Sequence, residues 1–159
     1  MKITKQWLEK HDACEDGQEW FFAQKETDAV AVIKKLMEEN HFDYANWTIC
    51  RVFNKKQRVM YAVFSARLVL KNFEKEFPED KRPREAIEAA EAYLKNPCEK
   101  TKSAAWSAES AARSAAGSAE SAESAAWSAE SAARSAESAV WSGLQKKIIT
   151  YGLSLLEQS

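Results

Sequence analysis

The chain has 159 residues and a formal charge of -1, from 23 Lys+Arg against 24 Asp+Glu. That length fits one domain with a helical appendage, and the even charge argues against a protein that grips nucleic acid by bulk basicity. The opening MKITKQWLEKHDACEDG has no apolar stretch of signal-peptide length, and no run of about 18 apolar residues follows, so no membrane association and a cytoplasmic setting are expected.

Read in order, the first hundred residues predict helices. Residues 3–10 form a short one, ended by His11-Asp12-Ala13. Glu15-Asp16-Gly17 marks a turn or cap, and 18–24 adds a helical turn carrying Trp20, Phe21 and Phe22. Thr27 or Asp28 caps a helix to about Glu39, with Val30, Ile33, Leu36 and Met37 on one side. Asp43 caps the next, with Tyr44, Trp47, Val52 and Phe53 partly inward; residues 47–52 are the nearest rival for a strand. Residues 57–77 carry Val59, Val63, Ala66, Leu70, Phe73 and Phe77 at steps of three and four, the best long amphipathic helix in the chain. Pro78 stops it. Another helix opens at Asp80 with Pro83 in its first turn, turns Ile87, Ala90, Tyr93 and Leu94 inward, and closes at Pro97.

Composition changes near residue 102. Residues 1–102 hold 19 Lys+Arg and 18 Asp+Glu, whereas 16 of the 40 residues in 103–142 are Ala and 12 are Ser. Such a segment would read as disordered were it not for a period of seven: Ala105, Ala112, Ala119, Ala126 and Ala133 recur with Ala108, Ala115, Ala122, Ala129 and Ala136 in steps of four and three. Trp106, Arg113, Glu120, Trp127, Arg134 and Trp141 share a neighbouring stripe. A single rod of this length would reach about 60 Å. Gly117 instead suggests a break between two helices, roughly 103–116 and 118–142, folded against the body; the rival arrangement is one rod that dimerises, so monomer and homodimer both stay open. The expected fold is all-α, a compact multi-helix bundle with Ala/Ser-rich, heptad-patterned C-terminal helices, divided into a body at 1–102 and a helical region at 103–159.

No residue pattern announces a reaction. There is no GxSxG, P-loop or GxGxxG, and His11 and His41 lack the HxxxH or HExxH spacing of a metal site, so no cofactor, metal or catalysis is expected. Three cysteines cannot all pair within one chain, which fits a reducing compartment. Cys14 has no basic neighbour to activate it, Cys50 follows an apolar run and reads as core, and Cys98 beside Pro97 reads as a linker thiol. Charge is densest at Asp80, Lys81, Arg82, Arg84, Glu85 and Glu88. One reading is a helix start in which Asp80 caps and Arg82 or Arg84 pairs with Glu74, Glu76 or a carboxylate of the tail. The other is a partner-binding cluster of Lys55, Arg58, Lys81, Arg82 and Arg84, within a stretch from Arg51 to Arg84 that holds ten Lys+Arg against four Asp+Glu. Nucleic acid is the less favoured partner, since no zinc-finger, helix-turn-helix or RNP signature accompanies the excess.

Asp43-Tyr-Ala-Asn-Trp47, Tyr61-Ala-Val-Phe-Ser-Ala66, Phe73-Glu74 and above all the block from Pro78 through Asp80 to Ala90, with Leu8, Ala13-Cys14-Glu15, Phe21-Phe22 and an Ala-rich tail with recurring Trp, carry a resemblance. The chain resembles the immunity proteins associated with bacterial polymorphic toxin systems, relatives of which also occur in phage and mobile elements. It departs from them in placing Ser at regular tail positions. The resemblance implies a non-enzymatic helical protein that binds and inhibits another protein, a toxin. Two alternatives remain beside it: a phage or mobile-element inhibitor of a bacterial defence complex, and a structural or oligomerisation module built on the Ala seam.

The seam carries its own test. If 103–142 packs through its Ala stripe, Ala126→Leu or Ala129→Leu forces backbones apart and lowers stability by about 1–3 kcal/mol, whereas Ser131→Leu, off the stripe, does much less. Paired thermal melts followed by circular dichroism check this; seam variants that melt like wild type rule the packed tail out.

Overall fold

The computed structural model describes residues 1–103 and 134–158. The protein is all-α: among the described residues there are seven named helices and no strand beyond one isolated bridge between Lys2 and Asp28. The helices are α1 (Lys5–Lys10), α2 (Glu15–Ala23), α3 (Ala29–Glu38), α4 (Phe42–Val52), α5 (Lys55–Glu76), α6 (Arg82–Lys95) and α7 (Arg134–Glu157). The chain forms two compact units, Met1–Lys55 with Ser142–Ser159, and Lys56–Trp141. Composition thus steps near residue 102, while contacts divide the chain at 55 and 141. Most of the Ala stripe and the break expected at Gly117 lie outside the described residues. The repeat's last turns, from Arg134, are helical, and α7 runs on without interruption through Gly143 and Gly152.

In the first unit, local chemistry sets each boundary. The Thr4 hydroxyl accepts from the Trp7 amide at 3.2 Å and starts α1. Helix α1 ends in a Schellman turn: Asp12 takes φ 54°, its amide donates to Glu9 O, and the Ala13 amide donates to Leu8 O. The end of α3 repeats the device with Asn40 at φ 62°, its amide on Met37 O and the His41 amide on Leu36 O. Asp and Asn tolerate this left-handed conformation better than other side chains that have a Cβ. The Asp28 carboxylate caps α3, its Oδ1 accepting from the Val30 and Ala31 amides at 3.1 and 3.2 Å.

Helices α3 and α4 pack face to face. Ala29, Val32, Ile33 and Leu36 from α3 meet Phe42, Ala45, Thr48 and Ile49 from α4 in a core completed by Ile3, Leu8, Phe21 and Phe53. The last turns of α7 add Ile149, Leu153 and Leu155. Polar contacts hold them there: Lys34 Nζ lies 2.9 Å from Glu157 Oε1, Gln145 Nε2 donates to Asp43 Oδ1 at 3.4 Å, and Lys146 sits 5.6 Å from the Phe42 ring centre.

The second unit holds α6 against α5. Arg67 grips Glu91 through two bonds of 2.9 Å, and Arg84 grips Glu74 through bonds of 2.6 and 2.8 Å. As the α5 residue number rises its α6 partner's falls, which is the register of an antiparallel pair. Tyr61 and Leu70 on α5 and Ala86 and Ile87 on α6 are buried. Pro78 ends α5 and Pro83 occupies the first turn of α6, as their fixed φ dictates.

Four expectations need correction. Glu15-Asp16-Gly17 is the first turn of α2 rather than a cap before it, with Cys14 at the N-cap. Asp43 does not cap α4, because the Schellman turn before it already places His41 at the N-cap and Asp43 falls within the first turn. Cys50 is half-buried, since it follows Ile49 around the helix towards the surface. Phe77 lies beyond the end of α5 and is 44% exposed.

Two outcomes follow. Asp28→Ala removes the cap of α3 and costs about 0.5–2 kcal/mol, whereas Asp28→Asn, an equally good cap, keeps most of it. The Ala31 amide above all, then the N-terminal ammonium and the Val30 amide, hold the Asp28 carboxyl below its usual 3.8 against the opposing effect of burial. This contribution is therefore complete above that value and lost as pH falls through the lower folded one; urea melts at pH 7 and pH 3 check it. Arg84 likewise lowers Glu74, chiefly through its hydrogen bonds. A double-mutant cycle of Arg84→Ala and Glu74→Ala gives favourable coupling at pH 7 that fades below the ordinary Glu value of 4.5. Arg84→Lys, which cannot form the two-pronged contact, recovers only part of it.

Candidate functional site

The cations singled out in the sequence fall into two groups. Lys81, Arg82 and Arg84 gather at the start of α6. The Asp80 carboxylate caps that start, accepting from the Arg82 amide at 3.0 Å and from its Nε and Nη2 at 2.8 and 2.6 Å. Asp80 is held below its ordinary value, mainly by those side-chain bonds to Arg82. Lys81 Nζ donates to Pro78 O at 2.9 Å, and Arg84 is bound to Glu74 with Glu88 Oε1 at 3.9 Å. Lys55 and Arg58 stand in the first turn of α5. Sixteen residues separate Arg58 from Glu74, roughly 24 Å of helix, so α5 places them at the opposite end from the α6 cluster. The geometry at the α6 start is that of a capped, cross-linked helix end whose cations keep part of their surface in solvent: the Arg84 side chain is 43% exposed and that of Arg82 is 55% exposed.

The histidines take structural positions. His11 closes α1 with its ring 4.6 Å from that of Trp7, and His41 stacks on Tyr44 at 5.6 Å and meets Trp20 edge-on. Cys98 is exposed at the head of a helical stretch that begins at Glu99; its amide donates to Thr101 Oγ1 at 3.0 Å, and the Thr101 hydroxyl, 3.4 Å from Sγ, is the main influence lowering its thiol. Among the described residues no three His, Cys, Asp or Glu side chains converge as a metal site. Among them, no helix is long and apolar enough to cross a membrane.

The first unit also holds a cavity that no sequence pattern announces. It measures about 290 Å³ and is lined by Ile3, by residues of α1 to α4 and by the turn between α1 and α2. Its floor is the core itself: Ile3, Leu8, Phe21, Val32 and Leu36. Half-buried Trp20, Tyr44 and Trp47 line it as well. Asp12, Cys14 and Asp43, exposed residues, also contribute to a lining that is almost wholly apolar. Asp12 is placed by the left-handed turn that ends α1, and Asp43 by the first turn of α4. Burial, together with the Cys14 thiol and the carboxylates of Asp16 and Asp43, raises the Tyr44 phenol, which stays neutral. Trp20 Nε1 donates to Glu39 Oε2 at 2.6 Å, Trp47 packs edge-on against Trp7, and Arg51 lies 3.9 Å from the Trp47 ring centre. The only early signal was the density of Trp and Tyr between residues 7 and 47; it named no cavity, because the lining comes from four separate helices.

The family model described as an Imm-5 like putative immunity protein matches residues 48–142. The match runs from within α4 through the whole of α5 and α6, including the Lys81–Arg84 cluster, to Ser142. No curated protein and no solved structure matches the chain. With more than half of its length matched, and with the helical architecture that the residues dictate, the chain belongs to the Imm-5 like putative immunity protein family.

Proposed function

We propose that this chain is a non-catalytic inhibitor that binds a bacterial toxin in the cytoplasm and blocks it one-to-one. The observation that carries the reading is the family match over residues 48–142. Stoichiometric blocking needs a presented surface and no reactive group. The cations at the start of α6 suit such a surface, being fixed by Asp80, Glu74 and the Pro78 carbonyl while partly open to solvent. Fixed charges lose little freedom on binding and steer an oppositely charged partner. Lys81, Arg82 and Arg84 are assigned as one partner-facing group, and Lys55 and Arg58 as a second at the other end of α5.

The test is co-expression with the toxin encoded beside this chain's gene. Growth is restored, and the purified pair elutes as a one-to-one complex. The double variant Lys81→Ala/Arg82→Ala binds more weakly and with a shallower dependence on salt, while its melting midpoint barely moves. Failure to restore growth, together with binding to a host defence complex, selects the anti-defence alternative. Protection by far less than one equivalent points to turnover and overturns the non-catalytic reading.

A further inference from the structure

The cavity of the first unit lies almost wholly outside the family match. Thirteen of its fourteen lining residues precede Thr48, where the match begins. Its surface is almost wholly apolar, with Ile3, Leu8, Phe21, Val32 and Leu36 as the floor. The aromatic residues of the lining are pinned by neighbours that do not line it. Lys35 Nζ lies 5.9 Å from the Trp20 ring centre, Arg51 lies 3.9 Å from that of Trp47, and His41 stacks on Tyr44 at 5.6 Å. Polar groups of the lining likewise have partners within the protein. Trp20 Nε1 donates to Glu39 Oε2 at 2.6 Å, the Thr48 hydroxyl donates to the Tyr44 carbonyl at 2.8 Å, and the Tyr44 hydroxyl pairs with the Cys14 thiol.

Rings held in this way do not swing in to fill the space, so it stands open before a ligand arrives and binding costs little reorganisation. With those polar groups already satisfied, the interior offers little to a charged or strongly hydrogen-bonding ligand, which would lose its water without compensation. What the space rewards is removal of apolar surface from water. Size narrows the class further. A dry apolar cavity of about 150 Å³ holds one benzene ring. At about 290 Å³ this one has nearly twice that room, which suits two fused rings with a short aliphatic tail. Exposed Asp12, Cys14 and Asp43 mark the side on which the cavity meets solvent and a ligand enters. The match that carries the inhibitor reading begins only at the last of the lining residues, which separates the occupant of the cavity from the inhibited protein.

We propose that the cavity binds a neutral, apolar small molecule of bicyclic aromatic size, held by burial against Ile3, Phe21, Val32 and Leu36 rather than by charge or hydrogen bonds. This binding site goes beyond the inhibitor reading.

Calorimetric titration of the full chain with two sets of probes tests it. In the first set, indole, 3-methylindole and 3-ethylindole differ only in apolar surface, and affinity rises about fourfold with each added carbon. In the second, tryptamine and indole-3-propionate keep the ring pair and add a charge of either sign; both bind at least about tenfold more weakly than 3-ethylindole. In ¹⁵N-labelled protein, 3-ethylindole shifts the indole N–H signals of Trp20 and Trp47. Val32→Phe, with its fold checked by circular dichroism, fills the floor and lowers the affinity for 3-ethylindole at least about tenfold; the wild-type titrations stand without it. The proposal falls if 3-ethylindole shows no saturable one-to-one binding up to its solubility limit, if either charged probe binds as tightly, or if the shifts arise elsewhere. It also falls if Nα-acetyl-tryptophan amide binds as tightly as 3-ethylindole, since the cavity would then read a protein side chain.

Discussion

The contact of α3 with α4 sets the position of everything else in the first unit. Ile33, Ala45 and Ile49 have no exposed surface at all, and Val32 and Leu36 have almost none. Burying such side chains contributes about 1.5–3 kcal/mol each, far more than the exposed ion pairs around them. The two helices are adjacent in sequence and joined by only a few residues, so a single tight turn decides whether their apolar faces meet. That turn is the Schellman motif at Asn40, which ends one helix and delivers His41 as the first residue of the approach to the next. Once the pair is formed, Ile3, Leu8 and Phe21 have a surface to cover, and the cavity is the part of that surface left uncovered.

The sequence was most legible where one residue type has one mechanical consequence. Thr27 and Asp28 both have the chemistry of a cap before an apolar helix, and Asp28 takes the position. Pro78 and Pro83 had to bracket a turn because each fixes φ and lacks an N–H. Of Arg82 and Arg84, either of which can reach Glu74, Glu76 or a tail carboxylate, Arg84 meets Glu74 while Arg82 turns to Asp80. The readings that failed turn on competition between neighbours. Asp43 has the chemistry of a cap, but the turn at Asn40 claimed the position before it. Gly17 has the chemistry of a break, yet it stands inside the first turn of α2, which Glu15 and Asp16 open. The cavity was illegible for a different reason: its lining comes from residues up to 45 positions apart, from Ile3 to Thr48, and no local pattern records a gap between helices.

The two candidate sites also differ in kind. The cations of α6 are cross-linked at a helix end within the stretch that defines the family, and their chemistry is that of a surface that meets another surface. The cavity is a concave, almost wholly apolar space in the residues upstream of that stretch. One molecule can carry both because the first unit builds its core from its own helices, while the α5–α6 pair is held by its own salt bridges.

The first unit is assembled from both sides of the second in the chain, residues 1–55 and 142–158. This has a consequence for synthesis. While residues 56–141 are being made, α3 and α4 already exist, but Ile149, Leu153 and Leu155 have not yet been translated. The nascent first unit must therefore wait on the ribosome with one side of its core open. Within the intervening stretch, α5 and α6 can emerge and pair in that interval. Order of translation thus makes the discontinuous unit the last to close, and leaves it the one most exposed to chaperones and to interrupted messages.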